Sequence, residues 1–316
     1  MKRWAESIRP AVTKATVRMA LVTTAVLVVA CGGDDGGGSE AKPAAGAGKS
    51  LGTIEDGTIR VAIRGDLPFA AVKDGELTGV DGDIMRALGE KLGQELKIET
   101  MDFNGQLGAI ESGRVDVAIG SIGWNEDRTK AGIFTDPAYY AGATIIQREG
   151  SGLTTLGDLE GKTIGTVTGY AWVPAIKGIS GATLRTYDTA DAVYADVGTG
   201  RIDAAFVDTL QDIYTAETRP ELKVETTPLE VTPEEVSSNP AFGVFGKLQF
   251  PFYLPQDHAD LEAAMTKALR ALYSSGELST IVTEWSLDPS LFLVPGETAA
   301  DRVGVNRPEG WSPPSV

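Results

Sequence analysis

A seven-residue segment occurs twice in this chain, and this internal repeat constrains the fold more than any other feature of the sequence. The first copy spans residues 113–119 (GRVDVAI), and the second, 87 residues later, spans residues 200–206 (GRIDAAF). In each copy a glycine ends a helical pattern, an arginine starts the turn, and alternating apolar residues then form a buried strand. The repeat therefore predicts two lobes built on one plan. Chance recurrence of a common helix-to-strand turn is the alternative.

A polar side chain lies just beyond each copy of the repeat. Ser121 follows the first strand and Asp208 follows the second, each after one intervening residue. In open α/β sheets ligands bind beyond the carboxyl ends of the strands. Both residues are therefore candidates for a site in a cleft between the lobes.

The rest of the chain alternates short apolar runs with helical periodicity, which is typical of an α/β protein. Strands are predicted at 58–63, 96–100, 115–119, 163–167, 183–187, 202–207 and 222–225, and helices at 81–92, 106–112 and 190–199. A strong amphipathic helix that includes Leu261 then returns to the first lobe. The predicted fold is two α/β lobes with mainly parallel sheets, joined by a two-segment hinge. Lobe I comprises 57–138 and 248–293, lobe II comprises 139–247, and 294–316 form an exposed tail.

The first residues resemble a targeting signal. Five basic residues precede an uncharged run at 19–30, which is too short for a membrane span of roughly 20 residues. A short buried helix is the alternative. Residues 28–31 (VVAC) resemble the lipobox of bacterial lipoproteins, which implies that residues 1–30 are removed and that Cys31 carries the lipid. Residues 31–56 follow as a flexible tether, because fourteen of the twenty residues at 31–50 are Gly, Ala, Ser or Pro.

Charge and composition exclude several classes of function. With 44 acidic and 28 basic residues, the formal charge of −16 opposes unaided binding of nucleic acid. One Cys and one His exclude a disulfide framework and Cys- or His-rich metal centres, and no metal or cofactor is predicted. Binding chemistry or carboxylate chemistry remains.

Six segments, in order and spacing, resemble the polar amino-acid branch of the extracellular solute-binding proteins of ABC importers. They are residues 59–69, 77–83, 125–128, 134–140, 156–165 and 200–204. The resemblance implies a type II periplasmic binding fold, a small polar ligand such as an amino acid, and delivery to an ABC permease.

The same resemblance implies roles for individual residues. Arg128 would grip the α-carboxylate of the ligand and Asp208 its α-amino group, while Ser121, Gly123 and Gly169 would supply the remaining polar contacts. A buried zwitterion loses two hydration shells, so it needs a cation at one end and a carboxylate at the other. The alternatives are that Arg128 is a solvated helix residue paired with a neighbouring acid and that Asp208 only caps a helix.

Apolar walls are expected around these polar groups. The resemblance places Phe103 over the ligand, and Leu67 and Phe69 are equally consistent with a wall or with core packing. Tyr170 occupies a lobe II turn where many family members carry Ser or Thr. Arg64 matches a family position that contacts the distal end of the ligand, where a cation would suit an acidic group. The alternatives are that Arg64 forms a salt bridge across its own loop or points to solvent.

The sequence thus predicts a lipid-anchored binding protein, monomeric and on the extracytoplasmic face of the cell membrane, that closes two lobes around its ligand. A ligand sensor for a membrane receptor would need the same lobes and tether. A dehydratase-like enzyme on this fold is disfavoured, because His258 is the only histidine and no pair of nucleophile and base is evident.

Overall fold

The computed structural model describes residues 50–229, 231–296 and 302–315 of the protein. The predicted signal peptide (1–30), the predicted lipid site at Cys31 and most of the predicted tether lie outside the described residues.

Lobe I begins with six strands and two helices. They are β1 (Thr58–Ile63), β2 (Ala71–Lys73), β3 (Glu76–Thr78), α1 (Val80–Leu92), β4 (Glu95–Thr100), α2 (Phe103–Glu111), β5 (Val117–Ala118) and β6 (Gly132–Ala141). The apolar face of α1 is fully buried through Ile84, Met85 and Leu88. Gly93 ends this helix with a φ of 64°, a left-handed conformation that glycine adopts without steric cost.

Lobe II follows, and the chain then returns to lobe I. Lobe II contains β7 (Thr144–Arg148), β8 (Thr163–Val167), α3 (Trp172–Gly178), β9 (Thr183–Tyr187), α4 (Ala190–Gly198), β10 (Ala204–Ala205), α5 (Thr209–Thr218), β11 (Val224–Pro228) and α6 (Pro233–Ser238). The returning segment contains β12 (Leu248–Pro255), α7 (Ala259–Ser275), α8 (Glu277–Glu284) and α9 (Pro289–Phe292).

Each lobe has one five-stranded sheet, and the two sheets share a topology. The strand order is β4-β1-β5-β12-β6 in lobe I and β9-β8-β10-β7-β11 in lobe II. The first three strands of each sheet are parallel, the fourth is antiparallel to the third, and the fifth is antiparallel to the fourth. The sheets are therefore mixed, with the predicted parallel strands forming one side of each.

The repeated segment has the same structural role in both lobes. The backbone N–H of Asp116 donates to the Arg60 carbonyl at 2.9 Å, and its Oδ2 accepts the Arg60 N–H at 2.7 Å. Asp203 makes the same two bonds with Thr163, at 2.9 and 2.8 Å. In each lobe this aspartate fastens its own strand to the first parallel strand, so the repeat is one structural unit used twice.

Two short segments connect the lobes. The chain leaves the first sheet after Ala141 and enters the second at Thr144, and it returns between Phe245 and Leu248. The Ala143 N–H donates to the Phe245 carbonyl at 3.0 Å, which holds the two crossings side by side. Because β6 remains in the first sheet through Ala141, the lobe boundary lies a few residues beyond the predicted position 138.

Two predicted solvent-exposed segments instead pack against lobe I. Arg302, in the predicted exposed tail, has no exposed surface, because it reaches backbone carbonyls of β6. Near the end of the predicted tether, Leu51 packs on the lobe I core and the Ile54 N–H donates to Asp116 Oδ1 at 2.8 Å. The prediction of an exposed tail was therefore wrong for Arg302, although seven of residues 302–315 are exposed, and the tether ends before residue 56.

Candidate functional site

A cavity of about 140 Å³ lies between the lobes, at the carboxyl ends of β5 and β10. At about 30 Å³ per water molecule in the liquid, this volume corresponds to roughly five waters, or to a small ligand. It is lined by Arg64, Phe103, Ser121, Gly123, Arg128, Gly169, Tyr170, Ala171, Trp172, Val207, Asp208, Leu248 and Phe250. The lining thus includes eight of the ten predicted ligand-contact residues, and both lobes contribute to it.

Ser121 and Asp208, the equivalent positions of the two repeats, meet across the cleft. The Ser121 hydroxyl donates to Asp208 Oδ2 at 2.7 Å. Asp208 Oδ1 accepts the Leu210 N–H at 3.1 Å and so caps α5, which makes the aspartate both a cavity residue and the predicted helix cap. Burial raises the pKa of Asp208, while the Ser121 hydroxyl and the Arg64 charge oppose the rise. The bond therefore joins the two lobes at the edge of the cavity.

Arg128 stands in a short 3-10 helix, Asp127–Lys130, that follows the Gly123 turn. Asn125 Oδ1 accepts the Arg128 N–H at 2.9 Å, and the guanidinium donates to the Gly123 carbonyl and lies 5.4 Å from the Phe103 ring centre. Burial lowers the pKa of Arg128. Within the described ranges no carboxylate forms an ion pair with this guanidinium. The predicted alternative, pairing with a neighbouring acid, is not observed, since Asp127 pairs with Lys130.

Arg64 is the second guanidinium on the cavity wall. Its Nε donates to Asp66 Oδ1 at 3.2 Å, and its carbon Cζ lies 4.5 Å from the Phe69 ring centre. Burial opposes ionisation of Arg64, but the nearby charges of Asp66 and Asp208 outweigh it, so its pKa is raised. Its Nη2 is buried and has no hydrogen-bond partner among the described residues. Arg64 therefore lines the cavity, forms the salt bridge across its loop that was predicted as the alternative, and retains one buried donor without a described partner.

Two predicted wall residues do not line the cavity. Phe69 has no exposed surface and lies in the lobe I core beneath Arg64, where its ring supports the guanidinium. Leu67 is half-buried and precedes a cis peptide bond to Pro68, outside the cavity lining. The first strand thus contributes Arg64 to the wall, and the two apolar residues after it turn away.

The sequence interpretation missed five residues that line the cavity. They are Ala171, Trp172, Val207, Leu248 and Phe250. Trp172 donates its indole N–H to the Val207 carbonyl at 2.6 Å, and Phe250 stacks on Tyr139 with ring centres 5.3 Å apart. The position of Val207, directly before Asp208, was a usable signal. Leu248 and Phe250 enter through the returning strand β12, which no local pattern connects to the cleft.

Buried carboxylates continue from the cavity into both lobes. Asp81 is 2% exposed and accepts the Tyr139 hydroxyl at 3.1 Å, and burial raises its pKa to about 7. Asp212 accepts the hydroxyl of Tyr194 at 2.9 Å and that of Thr144 at 3.1 Å, and burial raises its pKa well above the usual range. Each acid is held by hydroxyl donors and not by a cation. Protonation of these groups is therefore coupled to folding.

The described ranges contain neither a cluster of metal ligands nor a helix suited to cross a membrane. No group of three or more His, Cys, Asp or Glu side chains there is arranged to hold a metal ion. No helix in the same ranges is both long and apolar enough to cross a membrane.

Comparisons with known proteins give consistent results. The chain is 26% identical over 243 residues to "Probable amino-acid-binding protein YxeM" of Bacillus subtilis (strain 168), and the matched region covers 75% of this chain and 87% of that protein. It is 28% identical over 236 residues to "L-cystine-binding protein TcyJ" of Escherichia coli (strain K12), covering 73% of this chain and 83% of TcyJ. Among solved structures, an ancestral arginine-binding protein bound to arginine has a TM-score of 0.59 and 25% identity, covering 72% of this chain and 98% of that one.

The matched region contains both lobes and the cavity. Residues 59–288 match the model of the bacterial extracellular solute-binding proteins, family 3. This range begins in β1 and ends just after α8, so it includes both copies of the repeat and every residue that lines the cavity. The chain therefore belongs to family 3 of the bacterial extracellular solute-binding proteins.

Proposed function

We propose that this protein captures an amino acid in the cavity between its lobes and presents it to an ABC importer. Arg128 of lobe I would bind the α-carboxylate and Asp208 of lobe II the α-ammonium. The single observation that carries the proposal is that one cavity offers an Arg128 guanidinium without an ion-pair partner in the described chain and, from the other lobe, a carboxylate. A zwitterion needs this pair of opposite charges when it leaves water.

Ligand capture would be coupled to closure of the lobes. A ligand that contacts both Arg128 and Asp208 binds the closed arrangement more tightly than the open one and so shifts the population toward it. The paired crossings near Ala143 and Phe245 are the segments about which the lobes would move. The Ser121–Asp208 bond would be exchanged, in part, for contacts of Asp208 with the ligand ammonium.

The protein would act at the extracytoplasmic face of the cell membrane, as a monomer anchored through a lipid on Cys31. Support comes from the lipobox-like residues 28–31 and from the family, whose members are extracellular solute-binding proteins. The named relatives are binding proteins, and the proposal includes no catalytic step. Mass spectrometry of the protein from bacterial membranes tests the anchor. A mature chain that begins elsewhere than at a diacylated Cys31 would contradict it.

Isothermal titration calorimetry of the purified protein against the twenty amino acids and cystine tests the ligand class. At least one of them should bind with a dissociation constant in the micromolar range, about −8 kcal/mol. The same compound should raise the melting temperature, because it binds only the folded state. If none binds at 1 mM and none shifts the melting temperature, the ligand is not an amino acid.

Substitutions then test the two charged contacts. Arg128→Met and Asp208→Asn should each weaken binding about 100-fold, since loss of one partner of a buried charged contact costs about 2–5 kcal/mol. Arg114→Met is the matched control, because Arg114 is a 58% exposed arginine of lobe I outside the cavity. Wild-type affinity in Arg128→Met would contradict the assignment of the carboxylate contact.

The second cavity guanidinium supports a preference for a ligand with an acidic distal end. Arg64 keeps the buried Nη2 donor free in the described structure, and a cationic side chain placed near it would be repelled. L-glutamate should therefore bind at least ten times more tightly than L-arginine, and Arg64→Gln should reduce this ratio. Tighter binding of arginine than of glutamate would refute the preference while leaving the amino-acid class intact.

A further inference from the structure

The C-terminal strap, residues 302–315, lies outside the region that matches the family, which ends at residue 288. We propose that the strap is a positioning element: Arg302 holds the loop 121–128, and through it the Arg128 guanidinium, in place on lobe I. The effect on loop order is independent of the ligand. The effect on affinity rests on the proposed function.

The strap is fastened to lobe I by a buried carboxylate. Asp136 of β6 has no exposed surface. From the strap, Arg307 Nη2 lies 3.1 Å from Asp136 Oδ1, and the Trp311 indole N–H donates to the same oxygen at 2.8 Å. Arg270 of α7 donates to the other carboxylate oxygen and also to the Ser312 carbonyl at 2.8 Å. Release of the strap would leave this buried charge with fewer partners, which is costly, so the strap is expected to stay bound.

Arg302 bonds to backbone carbonyls of the edge strand of the lobe I sheet. Among the described residues β6 is the last strand of that sheet, so no described strand pairs with its outer side. Arg302 donates from Nη1 and Nη2 to the Thr135 carbonyl at 3.2 and 3.1 Å, and from Nη2 to Phe134 at 3.4 Å. Its Nε donates to Asn306 Oδ1 at 3.1 Å. The buried guanidinium thus donates hydrogen bonds to carbonyls at the sheet edge. Burial lowers the pKa of Arg302 to about 9.

The same guanidinium supports the loop that carries the candidate ligand cation. Arg302 Cζ lies 5.9 Å from the Trp124 ring centre and 5.8 Å from that of Phe134. Phe134 stacks on Tyr253 with ring centres 4.5 Å apart, and the Tyr253 hydroxyl donates to the Arg128 carbonyl at 2.9 Å. A short path of packed rings therefore runs from Arg302 to the backbone of Arg128.

Most hydrogen bonds of the loop are internal, such as those of the Arg128 N–H to Asn125 Oδ1 and of the Thr129 hydroxyl to the Glu126 carbonyl, so they do not fix it to the sheet. Its 3-10 helix is four residues long, and residues 125–127 are exposed. The backbone N–H of Trp124 donates to the Gln249 carbonyl at 3.0 Å, and the backbone N–H of Ala131 donates to the Arg128 carbonyl at 3.1 Å. Loss of the cation beneath Trp124 and Phe134 removes favourable contacts with both rings. These loop amides are therefore expected to report on Arg302.

Hydrogen–deuterium exchange on the full chain, without ligand, tests the positioning role. Arg302→Ala should speed exchange in peptides covering 121–131 at least five-fold, while peptides covering 163–187 of lobe II keep wild-type rates. Arg302→Lys retains the charge but lacks the planar fork that reaches two carbonyls, so it should give a smaller increase. If Arg302→Ala does not fold, the exchange rates of Arg302→Lys provide the test.

A control separates positioning from general loss of stability. Ile176→Ala creates a cavity in the core of lobe II, where Ile176 has no exposed surface, and should leave exchange in 121–131 unchanged. Unchanged exchange in 121–131 in both Arg302 variants, with the strap itself exchanging faster, would overturn the proposal. An equal increase in exchange rate throughout lobe I, including β1 and α7, would also overturn the proposal, because Arg302 would then stabilise the whole lobe and not the loop in particular.

Affinity provides the second readout. With L-glutamate as the probe in calorimetry, Arg302→Ala should weaken binding at least five-fold at a temperature where the variant is fully folded, and Ile176→Ala should not. Faster loop exchange with unchanged glutamate affinity would refute the link from loop to ligand. If the wild-type protein does not bind glutamate, the proposed acidic preference fails, and the exchange experiment still decides the positioning role.

Discussion

The buried carboxyl group of Asp81 makes the folding stability of this protein depend on pH in an unusual direction. Asp81 lies in the first turn of α1, 2% exposed, and burial raises its pKa from 3.8 to about 7. The Tyr139 hydroxyl and the backbone N–H groups of Gly120 and Ser121 oppose that rise but do not cancel it. The folded state therefore binds this proton more tightly than the unfolded state does.

The sign and size of the effect follow from proton linkage. Between pH 4 and 7 folded Asp81 keeps a proton that the unfolded chain has released, so the free energy of unfolding falls as pH rises. The slope for one proton is about 1.4 kcal/mol per pH unit, which amounts to about 3 kcal/mol between pH 5 and 8, since the effect levels off above pH 7. Most paired carboxylates in proteins have the opposite effect.

Urea unfolding at pH 5, 6, 7 and 8 measures this effect in the wild type and in Asp81→Asn. Asparagine retains an acceptor for the Tyr139 hydroxyl and does not titrate. The two proteins should be similarly stable at pH 5, and Asp81→Asn should be more stable by about 3 kcal/mol at pH 8. The difference between the two proteins removes the contributions of Asp208, Asp212 and other groups.

Asp158→Asn is the control for the pH series. Asp158 is exposed, and the N–H groups and hydroxyls of Thr154 and Thr155 lower its pKa to about 2, so it does not titrate between pH 5 and 8. This variant should have the wild-type slope. Parallel pH profiles for the wild type and Asp81→Asn would show that Asp81 is ionised throughout the range and would refute the reasoning.

Other substitutions test the packing of lobe I and the repeat. Asp116→Asn should lower the free energy of unfolding in urea by about 3 kcal/mol, because the buried carboxylate also bonds His258 Nε2 at 2.9 Å. Asp203→Asn should lower it by less than about 1 kcal/mol, because Asp203 is exposed. Equal costs would contradict the difference in burial. Gly79→Ala should destabilise by about 3 kcal/mol or more in the same assay, since φ is 109° and a Cβ atom would lie 2.3 Å from the Phe69 carbonyl oxygen. A cost below 1 kcal/mol would show that the backbone there relaxes.

Local patterns predicted the regular elements that are bounded by clear signals. Strands 58–63, 163–167 and 183–187 have the predicted limits, because each is a short run between turn residues. The strands of the repeat are shorter than predicted, with two residues each in β5 and β10. Their apolar runs continue beyond the ladder toward the cavity, where burial does not require strand pairing.

The predicted exposure of the tail failed at two arginine side chains for a physical reason. Pro, Gly and charged residues usually lie in solvent, since burying a charge is costly. Arg302 and Arg307 are buried because the carbonyls of β6 and the carboxylate of Asp136 compensate that cost. These partners lie more than 160 residues away in the sequence, and no local pattern specifies them.

By itself, the sequence determined the two-lobe plan and the places where polar side chains leave the repeated strands, because strand and turn signals act over a few residues. Ser121 and Asp208 were identifiable on that basis, and Arg128 through the family resemblance of residues 125–128. Only the tertiary structure decided that Ser121 and Asp208 bond to each other, that Phe69 turns into the core and that Phe250 enters the wall. Those outcomes depend on how the two sheets and a returning strand meet, and contacts between distant segments have no signature in a local pattern.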